Sequence, residues 1–285
     1  MDNVSILQTS LAPDLIAILY SNILHCVVSL QYVEANRFMR ALIISDIHSN
    51  LVALEAVLAD TAGQYDVIWN LGDTIGYGPR PNECMQRMLD LHAISIAGNH
   101  DLACIGSNKV NIEEFNYDAK TANIWNGKQL IPEYARILEG LPLWREMDAH
   151  NYIVHGSPSD PVWEYLLYDA QAENNWRVIP HQLCYVGHSH VQIFLRQNAQ
   201  GHAEGPFRPV IGVPMPIPTG ERYFINPGSV GQPRDADPRS GYAILDTDAQ
   251  TVLFGRVAYD IAATQQQMRQ SGLPSALIER LARGR

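Results

Sequence analysis

Five short apolar runs along the chain each stop at residues able to bind a divalent cation. Residues 42–44 run into Asp46 and His48, residues 67–71 into Gly72 and Asp73, and residues 93–97 into Gly98, Asn99, His100 and Asp101. Further on, residues 152–154 meet His155 and Gly156, and residues 183–186 meet Gly187, His188, Ser189 and His190. Apolar runs of this length, bounded by turn residues, predict buried strands. Between the first three runs the spacing predicts two helices. Asn50 can cap one over 51–58, closed near Gly63; Pro81 can open the other, with Met85, Met88 and Leu89 on one face. Strand, helix, strand, helix, strand is a parallel βαβαβ unit, and such sheets bind ligands beyond the carboxyl ends of their strands. The polar residues stand at those ends.

The pattern then changes. Residues 106–140 contain no strand-like run. Phe115, Ala119, Ala122 and Trp125 fall at helical spacing, as do Tyr134, Ile137 and Leu138 after Pro132. A helical insertion over about 106–140 is expected, returning to the sheet near Leu143. Residues 191–195 read as a strand with a turn over 198–201, whereas Pro206, Pro209, Pro214, Pro216 and Pro218 predict loop. Residues 223–225 lead into a tight turn at Asn226-Pro227-Gly228-Ser229, and 242–245 with 251–257 predict an antiparallel hairpin. A helical tail over 261–281, broken at 272–274, closes the chain. The expected division is therefore an N-terminal extension at 1–38, helical or disordered, a domain at 39–260 and a C-terminal helical tail at 261–285. The apolar stretch 15–30 is interrupted by Ser21, Asn22 and His25 and is short for a membrane span, and the acidic start does not suit a secretory signal. No chemistry is assigned to the extension.

Composition narrows the choice of partner. A chain of 285 residues, 46% hydrophobic, can bury a sizeable core as one large or two small domains. Its formal net charge of −10 opposes a surface built to neutralise nucleic-acid phosphates, so no stable nucleic-acid binding is expected. An anionic substrate is still compatible, because bound metal inverts the local field. The four cysteines, Cys26, Cys84, Cys104 and Cys184, are far apart and form no CxxC. They read as reduced thiols of a cytoplasmic protein with no membrane partner.

Each candidate ligand alone is an ordinary turn residue. Taken together, Asp46, His48, Asp73, Asn99, His155, His188 and His190 all lie at the ends of expected strands, where they can converge on one rim. Two carboxylates, one amide oxygen and four imidazoles suit a pair of divalent ions such as manganese, iron, zinc, cobalt or nickel. One Asp can bridge the pair through its two oxygens. In Asp46-Ile47-His48 and His188-Ser189-His190, alternate residues share one side of an extended segment, so both members of each pair can face one cluster.

These residues resemble the calcineurin-like metallophosphoesterase superfamily. Its pattern is Asp-x-His, Gly-Asp, Gly-Asn-His-Asp/Glu, a lone His, then Gly-His-x-His. Here it runs through Asp46-Ile47-His48, Gly72-Asp73, Gly98-Asn99-His100-Asp101, His155 and Gly187-His188-Ser189-His190. The order and spacing are similar to the small bacterial and archaeal branch. So are the stretches 71–79 and 226–235, and the resemblance spans about Met39 to Tyr259. It implies an α/β fold, a four-layer αββα sandwich of two mixed β-sheets flanked by helices. It also implies a site for two divalent ions, manganese foremost. One ion goes to Asp46, His48 and His190, the other to Asn99, His155 and His188, with Asp73 shared. His100 then stands beside the leaving group as imidazolium, and Asp101 fixes its tautomer by accepting a hydrogen bond.

The implied activity is metal-dependent hydrolysis of a phosphodiester, phosphomonoester or nucleotide by a metal-bridging hydroxide, with His100 assisting the leaving group. A phosphoprotein (Ser/Thr) phosphatase is the alternative, a non-catalytic scaffold or a DNA nuclease the weaker readings. Tyr77 and Arg234 are candidates for substrate contact, as are Trp163 and Tyr165 for stacking on a base, each set against ordinary packing.

Overall fold

The computed structural model describes residues 39–285, which belong to one compact unit. The extension at 1–38, with Cys26, lies outside the described residues. The first half alternates strand and helix as the apolar runs predict: β1 (Arg40–Ile44), α1 (Leu51–Asp60), β2 (Val67–Asn70), α2 (Pro81–Asp90), β3 (Ile94–Ser95) and α3 (Asn99–Cys104). Asn50 caps α1 by accepting from the Ala53 amide, and Pro81 opens α2. Next come α4 (Tyr117–Gln129), α5 (Pro132–Gly140), β4 (Trp144–Glu146), β5 (Asn151–Val154), α6 (Asp169–Trp176), β6 (Leu183–Tyr185) and β7 (Gln192–Gln197). The chain closes with β8 (Ala203–Phe207), β9 (Met215–Pro216), β10 (Arg222–Pro227), β11 (Ser240–Asp246), β12 (Thr251–Val257), α7 (Ile261–Gln270) and α8 (Ser275–Arg280).

Two mixed six-stranded sheets result, in the orders β3-β2-β1-β11-β12-β9 and β4-β5-β6-β10-β7-β8. Each has a parallel run, β1–β2–β3 at one edge of the first sheet and β5–β6–β10 inside the second, extended by antiparallel neighbours. Strand periodicity sorts the side chains into layers. Ala41 and Ile43 of β1 face the second sheet, joining Trp69, Tyr185, Ile225 and Phe254 in the inter-sheet core. Leu42 and Ile44 face the other way, onto Leu54 and Val57 of α1. On the far side of the second sheet, Cys184 and Phe224 meet Ala172 and Trp176 of α6. Helix, sheet, sheet, helix is thus the layer order that buries both faces of every central strand.

One expectation changes. The proline-rich segment carries the edge strands β8 and β9, because an edge position has one solvent-facing side where a missing N–H is tolerated. Asn99, His100 and Asp101 open a short helix directly after β3. Helix α6 had no expectation attached to it. The C-terminal segment is helical with the expected break, and it packs back: Met268, Leu273, Leu277, Ile278 and Leu281 cluster with Tyr77, Ala119 and Ala122. Cys84, Cys104 and Cys184 are buried and unpaired. No helix among the described residues is long and apolar enough to cross a membrane.

Candidate metal centre

The carboxyl ends of β1, β2, β5 and β6 meet on one rim, and the polar turns there face each other. Asp46, His48, Asp73 and His190 form one buried group of ligand atoms; Asp73, His155 and His188 form a second. Asn99 joins the second group, with Oδ1 3.1 Å from His155 Nε2.

Strand alternation is not what brings them together. Asp46, His48, Asp73, His188 and His190 all lie beyond the strand ends with φ between +50° and +62°, in the left-handed region. Non-glycine residues there cost about 1–3 kcal/mol each and persist where surrounding contacts over-determine them. Those contacts are main-chain bonds between turns. Asp46 N donates to Gly72 O, His48 N to Asp73 O, and Gly231 N to Asp46 O. The 226–235 stretch braces two turns at once: Ser229 Oγ donates to Asp46 O, and Asn226 Nδ2 to Gly187 O.

Every histidine ligand candidate has one ring nitrogen against a main-chain carbonyl. His48 Nδ1 lies 3.3 Å from Ile75 O, His155 Nδ1 2.8 Å from Leu71 O, and His190 Nδ1 2.6 Å from Gln232 O. His188 uses Nε2, 3.2 Å from Trp163 O. A carbonyl only accepts, so each of these nitrogens carries hydrogen and the opposite one is the position for a ligand bond once it is unprotonated. The carboxylates are oriented in the same way. Asp46 Oδ2 accepts from the His188 amide and Asp73 Oδ1 from the His100 amide at 2.8 Å. Asp46 Oδ1 and Asp73 Oδ2 are left buried with no hydrogen-bond partner. Asp73 Oδ2 lies 3.3 Å from His155 Nε2 and 3.7 Å from His48 Nε2. A single oxygen of Asp73, rather than both, is therefore open to the two groups. Orphaned carboxylate oxygens among imidazole nitrogens of fixed tautomer fit divalent cations.

The charge states follow from burial and proximity. Burial opposes ionisation of both carboxylates, yet His190 beside Asp46 and His155 beside Asp73 hold them below the usual carboxylate range. Burial would also push His155 down, but the Asp73 carboxylate raises it to about 9. Burial pushes His48 and His190 below the usual range and, with the charge of His155, takes His188 to about 3. It lowers His100 to about 4, with Asp73 opposing, so the ring is neutral near pH 7 rather than imidazolium.

The tautomer of His100 is held by Asn123 of α4, whose Oδ1 lies 2.8 Å from Nδ1. This corrects the expectation for Asp101. Its Oδ1 accepts from Ile75 N and its Oδ2 from Gly98 N, so it ties the start of α3 to the turn after β2. Burial and the neighbouring Asp73 raise its carboxyl to about 7. The role of Asn123 was missed because it is a polar residue within a helix read by its apolar spacing. Its signal is that Ala119, Ala122, Asn123 and Asn126, all buried, follow helical spacing.

Beside the ligand groups lies a cleft of about 210 Å³, lined by His100, Tyr77, Arg234, Phe115, Trp163 and Tyr165 among others. The Tyr77 ring packs 4.3 Å from that of His100 and accepts Arg234 Cζ at 5.7 Å over its face, while Arg234 Nη2 donates to its hydroxyl. Tyr165 stacks on His188 at 4.2 Å, and Trp163 packs on Phe115 at 5.1 Å.

Two mixed sheets with buried Asp/His groups on their shared rim define a metallophosphoesterase. Residues 39–250 match the calcineurin-like phosphoesterase superfamily domain, and the chain belongs to that superfamily. It is 36% identical over 252 residues to the uncharacterized protein MJ0912 of Methanocaldococcus jannaschii, covering 85% of this chain and 97% of that one. A metallophosphoesterase from Sphaerobacter thermophilus has a similar structure, with TM-score 0.77, 48% identity, and coverage of 87% of this chain and all 100% of that chain. Protein PH1004 from Pyrococcus horikoshii shares the fold at TM-score 0.70 and 19% identity, over 86% and 98% of the two chains.

Proposed function

We propose that this chain hydrolyses a small phosphoester, a diester, monoester or nucleotide, with two divalent ions. Asp46, His48 and His190 would hold one, and Asn99, His155 and His188 the other. Asp73 would serve both through Oδ2, left without a hydrogen bond between His48 and His155; that orphaned oxygen carries the reading. The mixed carboxylate, amide and imidazole donors suit manganese, with iron, zinc, cobalt and nickel also compatible. When bound, the ions supply an acidified water and positive charge for the phosphoryl oxygens.

The chain's own residues do the rest. His100 lines the cleft with Nδ1 committed to Asn123, leaving Nε2 for the leaving oxygen. The ring is neutral at rest, and an arriving phosphate dianion favours its protonated form, which can then hand the Nε2 proton to the leaving group. Tyr77 packs against both His48 and His100 and so sets the position of the two rings together. Phe115, Trp163 and the C-terminal Arg280 narrow the cleft, which favours a small substrate over a folded phosphoprotein.

The test is hydrolysis of bis-p-nitrophenyl phosphate beside p-nitrophenyl phosphate by metal-stripped protein with and without manganese. Manganese-dependent turnover of either is expected, and the preferred ester separates diesterase from monoesterase. Failure on both esters and on a nucleotide panel, with two metals bound per chain, overturns the proposal.

A further inference from the structure

Two half-buried arginines elsewhere in the chain are fully engaged. Arg256 pairs with the buried Asp235, and Arg222 donates to the carbonyls of Trp176, Ile179 and His181. Arg234 and Arg280, which line the cleft beside His100, are less fully engaged. Among the described residues neither forms an ion pair. Arg234 donates to the neutral Gln232 Oε1 and Tyr77 hydroxyl, and Arg280 Nε to the main-chain oxygen of Arg285. Two cations facing one cleft repel each other, and an anion lying between them relieves that repulsion. The guanidinium of Arg280 is lowered, first by burial and then by Arg234, with the Asp118 carboxylate among the groups opposing.

The mount is firm. Arg280 ends α8, whose Leu277 and Ile278 pack with Tyr77, Ala119 and Ala122, and Gln265 Nε2 donates to Ile278 O. The apolar cluster that seats Tyr77 against His100 thus also brings Arg280 to the cleft. Residues beyond 250 lie outside the superfamily match, so this cation comes from the chain's own C-terminal segment. The lining carboxylates are Asp73, turned to the ligand groups, and Glu114, exposed on the rim and screened by water.

We infer that Arg234 and Arg280 form a subsite for a second phosphate, so that the substrate carries another phosphate next to the one cleaved. This rests on the phosphoesterase reading above. Two chemistries present such a group: a pyrophosphate link, as in a nucleoside diphosphate, and a separate ester on the same sugar, as in a nucleoside 3′,5′-bisphosphate.

The experiment compares kcat/KM of the manganese-loaded full chain on a nucleoside monophosphate, the matching diphosphate and the 3′,5′-bisphosphate, in wild type, Arg280→Ala and Arg280→Lys. A charge-assisted hydrogen bond predicts a wild-type preference of about tenfold or more for a doubly phosphorylated substrate, and which one wins identifies the linkage. Arg280→Ala should remove most of that ratio and Arg280→Lys restore part of it. Absence of the preference in wild type, or a ratio unchanged in Arg280→Ala, overturns the inference. A second readout is binding of inorganic pyrophosphate against orthophosphate to metal-stripped protein, followed by tryptophan fluorescence. Tighter pyrophosphate binding lost in Arg280→Ala, with no metal-dependent turnover of any ester, would sink the phosphoesterase reading and leave the subsite standing.

Discussion

Asn123 Oδ1 accepts the Nδ1–H of His100 at 2.8 Å, and Asn123 Nδ2 is buried without a partner. The amide oxygen also accepts from the Cys104 thiol at 3.8 Å, so its strong bond is the one to the ring that lines the cleft. Asn123→Ala should lower turnover by about 10–100-fold, the usual effect of losing a residue that orients a functional imidazole. Metal content should stay at the wild-type level and thermal stability near it. Unchanged kcat in the variant would remove Asn123 from the positioning of His100.

His100 and Asp73 separate chemistry from metal binding. His100→Ala should cut turnover by about 10²–10⁴-fold, the range for a lost general acid, with both metals retained. Asp73→Asn replaces one oxygen of the shared carboxylate and should lower metal content first. Elemental analysis beside steady-state rates decides this. Metal loss in the His100 variant, or two metals and full rate in the Asp73 variant, would reverse the assignments.

Metal binding should release about one proton near pH 7.5, because a ligand must be deprotonated to bind. Asp46 and Asp73 are held below the carboxylate range and are already ionised there. His48, His188 and His190 are pushed below the usual histidine range and are already neutral. His155, raised to about 9, is the ligand candidate still protonated, so apparent affinity should climb as pH rises towards that value and then level off. Titration calorimetry in buffers of different ionisation enthalpy reads the proton count directly. Heats independent of the buffer would show that His155 does not exchange a proton for a metal.

Gly98 tests how closely the metal turn is packed. Its φ of −97° is open to any residue, so the backbone does not require glycine there. A Cβ at that position would strike Asp73 Oδ1 and its backbone N. Gly98→Ala should therefore displace the shared carboxylate, cost about 1–3 kcal/mol as other overpacking changes do, and reduce metal content. A melting curve and metal analysis like those of wild type would mean that the β2 turn yields without consequence.

The sequence alone determined the alternation of strand and helix in the first half and the helical character of 106–140, and it named seven candidate ligands, because each rests on local signals. Apolar runs ending at polar turns mark strands whose carboxyl ends form a rim, and a cation needs several donors of particular chemistry, which restricts what can stand there. Other features came only with the tertiary structure. The Asp46-Ile47-His48 and His188-Ser189-His190 turns converge through left-handed backbone held by bonds between distant turns, not through strand alternation. One oxygen of Asp73 stands between His48 and His155, while the His100 amide occupies the other. Asn123, rather than the adjacent Asp101, holds His100, since the helix start directs Asp101 to Gly98 and Ile75. Arg280 reaches the cleft because an apolar cluster folds the last helices back over Tyr77. Each of these depends on which distant residue occupies the neighbouring space, and that is set by packing of the whole chain rather than by local propensity.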